Sequence, residues 1–292
     1  MKNVFLSLCM CVYLSLGLAY AESVRTYSVV VPFSAGGPSD ILIRGIVPQL
    51  NDGLDKHNIK LIVENRPGAG GSIGLATVMN NDKLMFGFFS SFFAINKTVK
   101  NDTSYEFDSV NLLGFAGYNK MVVLSGKYKN LTDLQNHCAN DNTITVGTSG
   151  VGSTSHLTAL YFSKKYLKCD NIINVAYKTV SLAYPDLKSK RLDFMIDFSI
   201  TADSFIKSNF INHITTIKDN ELLAWHILVS NKIDSVDAEI VKREFNLLKK
   251  NENFNNMLES MYHIQKFSEN KSGDWLRNEF STYKKMIEEL PK

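Results

Sequence analysis

The sequence predicts an α/β fold built on parallel β-sheets, and three features of the chain support this prediction. Apolar, strand-like runs alternate with segments whose apolar residues recur at helical spacing, which is typical of parallel sheets flanked by helices. Glycine-rich loops follow several of these runs, where a strand turns into a helix. The 271 residues that remain of 292 after a short N-terminal leader are enough for two domains. The strand-like runs lie at residues 27–32, 60–63, 84–89, 121–124, 143–147, 172–177, 193–198 and 225–230.

The first 21 residues have the pattern of a signal peptide. Lys2 supplies the positive charge, and residues 4–18 form an uncharged apolar segment that is short for a bilayer-spanning helix. Residues 19–21 (AYA) form the small-residue cleavage site. We therefore expect cleavage after Ala21 and export to the periplasm, with a retained membrane anchor as the alternative.

The charge balance and the histidine spacing exclude some classes of function. Without Lys2, 31 basic and 29 acidic side chains leave a net charge of +2, and no basic stripe with interleaved aromatic residues is visible. We therefore expect no nucleic acid partner. The six histidines are scattered without an i, i+4 pair, so we expect neither a metal nor a cofactor.

Helical periodicity appears between the strand-like runs and dominates the last sixty residues. In the earlier part of the chain it is carried by Ile43, Ile46, Val47 and Leu50, and by Leu157, Leu160 and Tyr161. Near the C-terminus it forms three stripes: Val241, Phe245 and Leu248; Phe254, Met257, Leu258 and Met261; and Leu276, Phe280, Tyr283 and Ile287. These stripes predict packing faces rather than functional surfaces.

Two cysteines, Cys138 and Cys169, remain after removal of the leader, in a compartment that is oxidising if the chain is exported. Each lies a few residues before a strand-like run. If these two strands are parallel neighbours, both cysteines lie at the same end of one sheet and could form a disulfide. Two reduced, buried cysteines are the alternative.

Four segments could hold a small ligand, because ligands of open α/β sheets bind beyond the carboxyl ends of the strands. They are residues 32–40 (PFSAGGPSD), 64–74 (ENRPGAGGSIG), Ser90-Ser91, and 147–156 (GTSGVGSTSH). Their backbone N–H groups and hydroxyls suit carboxylates without performing chemistry on them. The pattern predicts a binding protein rather than an enzyme.

The enzyme motifs that the 147–156 loop approaches are incomplete. A P-loop needs a lysine where Ser153 stands, and a nucleophile elbow needs a glycine where Val151 stands. An exported hydrolase that uses a serine of this loop is the alternative enzyme hypothesis. Its histidine would be His156, only seven residues after Ser149.

The paired loops at 32–40 and 64–74 resemble those of the extracytoplasmic solute receptors of tripartite tricarboxylate transporters, the Bug or TctC family. The resemblance covers roughly residues 27–230 and includes four further segments. These are 90–97 (SSFFAINK), 105–117 (YEFDSVNLLGFAG), 146–156 (VGTSGVGSTSH) and 175–198, which contains a Tyr-Lys pair and a strand that ends in Asp.

The resemblance implies a two-lobed periplasmic binding protein fold of type II-like architecture. Each lobe would be a mostly parallel sheet flanked by helices, and a hinge would let the lobes close over a ligand. After the signal peptide (1–21), lobe 1 would comprise residues 22–122 with 226–292 returning to it, and lobe 2 residues 123–225. The implied function is capture of a small carboxylate metabolite and its delivery to membrane permease subunits by a monomeric receptor.

The resemblance also implies a set of ligand contacts. In lobe 1 they would come from Phe33, Ser34, Ala35, Gly36, Gly37, Asp40, Ser90 and Ser91. In lobe 2 they would come from Thr148, Ser149, Gly152, Ser153, His156, Tyr177 and Asp197. The amides of 34–37 would bind one carboxylate and the loop 148–153 the other end of the ligand. Asp40 and Asp197 would contact a ligand amine or a bridging water, or only cap local structure.

The chain departs from the family pattern at three places. Thr179 and Val180 stand where glycines usually follow the Tyr-Lys pair, Phe92 and Phe93 follow the two serines, and the segment after Trp225 lacks the usual Pro and Gly residues. These departures predict a reshaped or narrowed pocket with an unusual ligand. A receptor that has lost transport and now senses or scaffolds is the alternative.

Overall fold

The structure is a computed structural model that describes residues 23–99, 110–140, 143–217, 224–232, 234–267, 269 and 271–288. The predicted signal peptide and its cleavage site lie outside these residues, as does the first part of the segment 105–117. No helix in the described ranges is long and apolar enough to cross a membrane.

The described chain folds into eleven strands and ten α-helices. The strands are β1 Arg25–Val31, β2 Ile59–Asn65, β3 Phe86–Ser90, β4 Asn111–Asn119, β5 Met121–Ser125, β6 Ile144–Thr148, β7 Ile172–Ala176, β8 Phe194–Phe198, β9 Asn212–Thr216, β10 Ala224–Ser230 and β11 Ile264–Gln265. The α-helices are α1 Pro38–Leu54, α2 Ser72–Met79, α3 Phe92–Val99, α4 Leu131–Ala139, α5 Thr154–Phe162, α6 Tyr184–Lys188, α7 Ser199–Lys207, α8 Val236–Leu248, α9 Glu252–Tyr262 and α10 Gly273–Glu288. Short 3₁₀ turns at Asp55–His57, Ala69–Gly71 and Val180–Ala183 and a π-helical turn at Ser163–Leu167 complete the regular structure.

The strands form two sheets, each covered by helices. The first sheet has the order β11-β4-β10-β3-β1-β2, and the second has the order β7-β6-β8-β5-β9. In the first sheet β1, β2 and β3 are parallel, and β10 pairs antiparallel with both β3 and β4, so β1–β4 share one direction. In the second sheet β6, β7 and β8 are parallel, and β5 is antiparallel to β8 and β9. Four strands of each sheet therefore run in one direction, which matches the predicted two-lobed α/β fold.

The chain passes between the sheets twice. It leaves the first sheet at Lys120, between β4 and β5, and returns between β9 and β10. The predicted lobe boundaries at residues 122 and 225 fall inside β5 and β10, so the assignment of residues to lobes stays a prediction. We call the first sheet with its helices lobe 1 and the second sheet with its helices lobe 2.

The apolar patterns explain why these elements form. The valines at 29–31 are fully buried in β1, and the predicted stripe of α1 lies against the sheet with Ile43, Ile46 and Leu50 each at most 1% exposed. All eight strand-like runs form strands, and the three C-terminal stripes form α8, α9 and α10. Helix α3 of lobe 1 packs against α5 of lobe 2, so part of the apolar core continues from one lobe into the other.

Cys138 and Cys169 form a disulfide in lobe 2, with their Cα atoms 5.2 Å apart. Cys138 lies at the end of α4, before β6, and Cys169 lies before β7. Strands β6 and β7 are parallel neighbours, so both cysteines lie at the amino-terminal end of the same sheet.

Candidate functional site

The first glycine-rich loop ends β1 and begins α1. Gly37 is the N-cap of α1 and offers no side-chain cap, and Pro38 occupies the first turn without an N–H group. The amide of Ile41 begins the helical hydrogen bonds by donating to the Gly37 carbonyl at 3.0 Å. The helix start therefore has no side-chain cap at its N-cap position, and the acidic side chain of its first turn is Asp40.

Asp40 holds this loop in place. Its Oδ2 atom accepts the Gly36 N–H at 2.9 Å, and its Oδ1 atom accepts from Arg44 Nε at 2.8 Å and Asn65 Nδ2 at 2.9 Å. Asn65 Nδ2 also donates to the Phe33 carbonyl at 2.9 Å. The carboxylate reaches back from the first turn of the helix to the Gly36 amide, one residue before the N-cap amide that a capping box would satisfy.

Two of the four amides predicted to hold a carboxylate are therefore engaged within the protein. The Gly36 amide donates to Asp40, and the Gly37 amide donates to the Ser34 carbonyl at 3.2 Å. Gly36 has a φ of 77°, which lets the loop turn without strain. Pro38 and Ser39 of the helix start face the interior between the lobes, and Ser39 is 3% exposed.

A second glycine-rich loop of lobe 1 lies beside the first one. Gly68, Gly70 and Gly71 all have positive φ angles, so their backbone turns away from β2 into α2. The Asn96 side chain of α3, fully buried, donates from Nδ2 to the Gly70 carbonyl at 3.1 Å and fixes the loop. This loop was one of the four candidate segments, although no contact residue was assigned to it.

Ser90 and Ser91 differ in what their hydroxyls do. Ser90 ends β3 and faces the interior between the lobes. The Ser91 hydroxyl lies 2.9 Å from the Thr154 hydroxyl, and both side chains are buried. Because Thr154 begins α5, this contact joins the two lobes.

The facing loop of lobe 2 carries a cluster of serine hydroxyls. The Ser155 hydroxyl accepts the Ser149 N–H at 3.0 Å and also lies 3.0 Å from the Ser149 hydroxyl. The Ser153 hydroxyl caps α5 by accepting the His156 N–H at 3.2 Å. Ser155 was absent from the predicted contacts, although it holds the loop together.

His156 and Thr148 support this loop from behind. The His156 ring accepts the Gly152 N–H at Nδ1 over 3.4 Å, and burial lowers the pKa of the ring, which favours the neutral form. Thr148 is fully buried, and its hydroxyl donates to the Asn174 amide oxygen at 2.7 Å. Both side chains are bonded within lobe 2.

Tyr177 and Asp197 complete the predicted contacts. The Tyr177 hydroxyl donates to Asp186 at 2.6 Å, and burial together with this contact raises the pKa of the phenol to about 12. Asp197 is fully buried at the end of β8, where its oxygens accept from the Tyr184 and Thr201 hydroxyls at 2.8 and 2.6 Å. Burial raises the pKa of the Asp197 carboxyl to about 6 despite these donors.

The loops line two spaces between the lobes, and Phe33 and Ser149 line both of them. The outer cleft has a volume of about 460 Å³, within the size range of small-molecule sites. It is lined by Phe33, Gly68, Ala69, Gly70, Gly71, Ser149, Gly150, Val151, Ala176, Tyr177 and Lys178. The inner cavity has a volume of about 20 Å³, room for about one water molecule. It is lined by Phe33, Pro38, Ser39, Ser90, Ser149, Thr154, Ser155, Thr179, Val180, Asp197 and Phe198.

Five of the fifteen predicted contacts line these spaces: Phe33, Ser90, Ser149, Tyr177 and Asp197. The other ten do not line either space: Ser34, Ala35, Gly36, Gly37, Asp40, Ser91, Thr148, Gly152, Ser153 and His156. Their assignment as ligand contacts stays a prediction, and most of their polar groups bond within the protein.

The lining residues that the sequence did not reveal include Ser39, Thr154 and Phe198. Thr179 and Val180 were singled out as departures from the family pattern, and both line the inner cavity. A Cβ atom at Gly37 would lie 3.9 Å from the Thr179 hydroxyl, so this side chain of lobe 2 approaches the loop of lobe 1.

The arrangement can bind a solute. It does not contain the contact between a serine and His156 that the hydrolase hypothesis requires. The Ser149 hydroxyl contacts the Ser155 hydroxyl, and the His156 ring accepts the Gly152 N–H. Within the described ranges no group of three His, Cys, Asp or Glu side chains could hold a metal ion. Two α/β lobes that meet over a cleft of amides and hydroxyls define the class of two-lobed solute-binding proteins.

The chain belongs to the TctC family, because residues 46–226 match the model of the tripartite tricarboxylate transporter family receptor. It is therefore a solute-binding receptor and not an enzyme. A curated relative, the "UPF0065 protein in the TAR-I ttuE-ttuC' intergenic region" of Agrobacterium vitis, is 28% identical over 231 residues. That match covers 70% of this chain and 65% of the relative, which is just under two thirds of its length.

Solved structures share the fold. The periplasmic binding protein BugD superposes with a TM-score of 0.78 at 20% identity, covering 92% of this chain and 97% of BugD. MatC from Rhodopseudomonas palustris with bound malate gives 0.76 at 15% identity, covering 90% of this chain and 99% of MatC. A second R. palustris protein, solved with adipate, superposes with a TM-score of 0.75 at 17% identity, covering 92% of this chain and 96% of the other.

Proposed function

We propose that this receptor is exported to the periplasm and binds a small carboxylate between its lobes. The observation that carries the proposal is the cleft itself, where a helix start without a capping side chain, a glycine-rich loop and a cluster of hydroxyls meet. Backbone amides at a helix start and in glycine-rich turns favour anions. The malate and adipate held by two structural neighbours are consistent with this ligand class.

The ligand is held by both lobes, with Ser39 and Ser90 on one side and Ser149 and Ser155 on the other. Phe33 lines both the inner cavity and the outer cleft and packs edge-to-face on Phe92 at 5.2 Å. A ligand that touches both lobes selects the closed arrangement. The closed, loaded receptor acts as a monomer and delivers its ligand to the permease subunits of a tripartite tricarboxylate transporter.

The ligand class is tested by thermal unfolding of the mature protein with di- and tricarboxylates, amino acids and aromatic acids. We expect at least one acid to raise the unfolding temperature, because a solute that binds only the folded form stabilises it. Native mass spectrometry of the purified protein would identify an acid that remains bound. A panel without any stabilising acid would refute the carboxylate assignment.

Export and the transporter partner are tested separately. The mass of the protein recovered from the periplasm should correspond to a chain that begins at Glu22. Pull-down with the loaded receptor should recover permease subunits, and the empty receptor should recover fewer. Size-exclusion chromatography should give the mass of one chain.

A further inference from the structure

A buried serine and a buried histidine form a pair at the back of the inner cavity. Ser39, in the first turn of α1, lines the cavity, and its hydroxyl lies 3.0 Å from Nε2 of His226. His226 lies on β10 opposite Ser90 of β3 and is fully buried. His226 lies within the part of the chain that resembles the family, residues 27–230, but none of the predicted contacts includes either member of the pair.

The surroundings of His226 keep its ring neutral and fixed. The ring stacks on Phe88 at 5.4 Å with an angle of 15° between the planes, and Phe198 lies 5.7 Å away. Burial lowers the pKa of the imidazole to about 3. The second ring nitrogen, Nδ1, is buried and has no hydrogen-bond partner among the described residues.

The unpartnered nitrogen decides which tautomer the ring adopts. With the proton on Nδ1, a buried N–H donor would be left without an acceptor, which is rare in folded proteins. With the proton on Nε2, this N–H donates to the Ser39 hydroxyl oxygen, and only a lone pair at Nδ1 is left unpaired. The second arrangement is the less costly of the two.

We propose that His226 is a positioning residue that turns the Ser39 hydroxyl into a hydrogen-bond donor for the ligand. Because the Ser39 oxygen accepts from His226, its own proton is free to point into the inner cavity. Ser39 then selects a ligand that presents an acceptor there, such as a carboxylate oxygen, over one that presents an ammonium group. This inference rests on the proposed function and names the residues that set the preference at the inner end of the site.

The tautomer is tested directly by nitrogen NMR on protein with ¹⁵N-labelled histidine. The six histidines give six pairs of ring nitrogen signals, one from Nδ1 and one from Nε2 of each ring, and the His226→Phe variant identifies the pair that belongs to His226. We expect the pattern of a neutral ring protonated at Nε2 at pH 7. A ring protonated at Nδ1 would overturn the inference, because the Ser39 hydroxyl would then donate to the histidine and offer only lone pairs to the cavity.

The role in binding is tested by a double-mutant cycle with Ser39→Ala and His226→Phe. Phenylalanine keeps an aromatic ring against Phe88 and removes a polar atom that has no partner, so we expect the variant to fold. Malate, adipate and any acid that stabilises the wild-type protein serve as probes. Ser39→Ala should weaken binding roughly tenfold or more, which is the effect of losing one hydrogen bond to a charged group. His226→Phe should weaken binding less, because the Ser39 hydroxyl remains and loses only the donor that orients it.

Coupling between the two positions separates positioning from a purely structural role. If His226 acts through Ser39, the double variant should bind no more weakly than the Ser39→Ala variant. His226→Gln, whose side-chain amide can donate to the serine, should recover part of the affinity. Additive losses, or an unchanged affinity in His226→Phe, would overturn the inference.

The two proposals fail in distinguishable ways. If no acid binds the wild-type protein, the proposed function fails, and the NMR measurement still decides which tautomer His226 adopts. If an acid binds but the cycle shows no coupling, the receptor function stands and the role of His226 is refuted.

Discussion

At the scale of single residues, Asp40 shows how one carboxylate holds the shape of a glycine-rich loop. It receives one backbone and two side-chain donors, from Gly36, Arg44 and Asn65, and is 3% exposed. We predict that Asp40→Ala lowers the free energy of unfolding by about 2–3 kcal/mol, because three donors lose their acceptor. Urea unfolding measures the change. Asp52→Ala, on the exposed side of the same helix, is the control and should change stability by less than about 0.5 kcal/mol.

Asp197 makes stability depend on pH in an unusual direction for a carboxylate. Burial raises its pKa from the ordinary value of 3.8 to about 6, so the folded state binds a proton more readily than the unfolded state between these values. Its contribution is therefore complete below about pH 4 and is lost as the pH rises through 6. Acidification from pH 7 to pH 5 should stabilise the protein through this group by about 1 kcal/mol.

Urea unfolding of the wild-type protein and of Asp197→Asn at the two pH values tests this prediction. The difference in stability between the two proteins should shift by about 1 kcal/mol in favour of the wild type at pH 5. Asp193→Asn is the matched control. Although burial opposes it, the contacts of Asp193 with Lys127 and Thr145 hold the pKa of this carboxyl below its ordinary value. The difference in stability between the wild type and Asp193→Asn should therefore be the same at pH 7 and pH 5. If the difference for Asp197→Asn is also the same at both pH values, the prediction is contradicted.

The sequence located loops that line the spaces between the lobes but not every residue that faces these spaces. The glycine-rich junctions at 32–40 and 147–156 are visible because glycine, serine and proline interrupt apolar runs. Ser39 and Ser155 lie near the ends of these segments and look like ordinary first-turn residues. Their exposure to the cavity depends on how closely the two lobes approach, and no local pattern in one sequence contains that distance.

At the scale of secondary structure elements, helix α2 is packed more closely than its sequence suggests. A Cβ atom at Gly74 would lie 2.7 Å from the Cα atom of Pro32 and 2.8 Å from the carbonyl oxygen of Arg66. Glycine-to-alanine changes in helices usually stabilise by up to about 1 kcal/mol. We predict that Gly74→Ala instead destabilises the protein by about 1–3 kcal/mol, since the helix must move away from β1.

Chemical unfolding of Gly74→Ala beside Gly273→Ala separates packing from helix propensity. A Cβ atom at Gly273, at the start of α10, would meet no atom within 4 Å. Gly273→Ala should therefore be neutral or slightly stabilising. A stabilised Gly74→Ala variant would show that α2 has room that the structure does not contain.

The disulfide between Cys138 and Cys169 is the covalent link within lobe 2. The two residues are 31 positions apart, and closing a loop of this size in the unfolded chain accounts for about 3–4 kcal/mol. We predict that the double variant Cys138→Ser and Cys169→Ser is destabilised by roughly this amount in urea. Thiol titration of the denatured, unreduced protein provides a second readout, in which two free thiols per mature chain would contradict the bond.

Most elements could be predicted from the sequence because their apolar runs are uninterrupted. The strands that were not predicted are β4, β9 and β11. Strand β4 contains glycines at 114 and 117 and pairs irregularly with β10, and β9 is a polar edge strand. Strand β11 has only two residues. Such strands form because a neighbouring strand offers hydrogen bonds, which is a property of the assembled sheet.

At the scale of the whole molecule, the two lobes touch through a buried pair of hydroxyls. Ser91 of lobe 1 and Thr154 of lobe 2 lie 2.9 Å apart. We predict that Thr154→Val, which keeps the shape and removes the hydroxyl, shifts the receptor towards an open form. Loss of the Ser91–Thr154 hydrogen bond costs the closed form about 1 kcal/mol. This corresponds to a several-fold weaker affinity for the acid that stabilises the wild type.

Small-angle X-ray scattering and calorimetry measure the two effects. The radius of gyration of unliganded Thr154→Val should exceed that of the wild-type protein, and the affinity should fall. Thr77→Val is the control, because the Thr77 hydroxyl donates to Ile73 within the same helix. A variant at Thr154 with unchanged scattering and affinity would show that this contact does not contribute to closure.

The small volume of the inner cavity also has a kinetic consequence. Because the cavity has room for about one water molecule, only the end of a solute fits between Phe33, Thr179 and the hydroxyls of both lobes, and the solute cannot withdraw this end while the lobes touch. Its residence time is then set by how often the lobes separate, and not by the strength of any one contact. In stopped-flow mixing, the observed rate of binding should level off at high solute concentration if the empty receptor must first open, and the plateau should equal the opening rate.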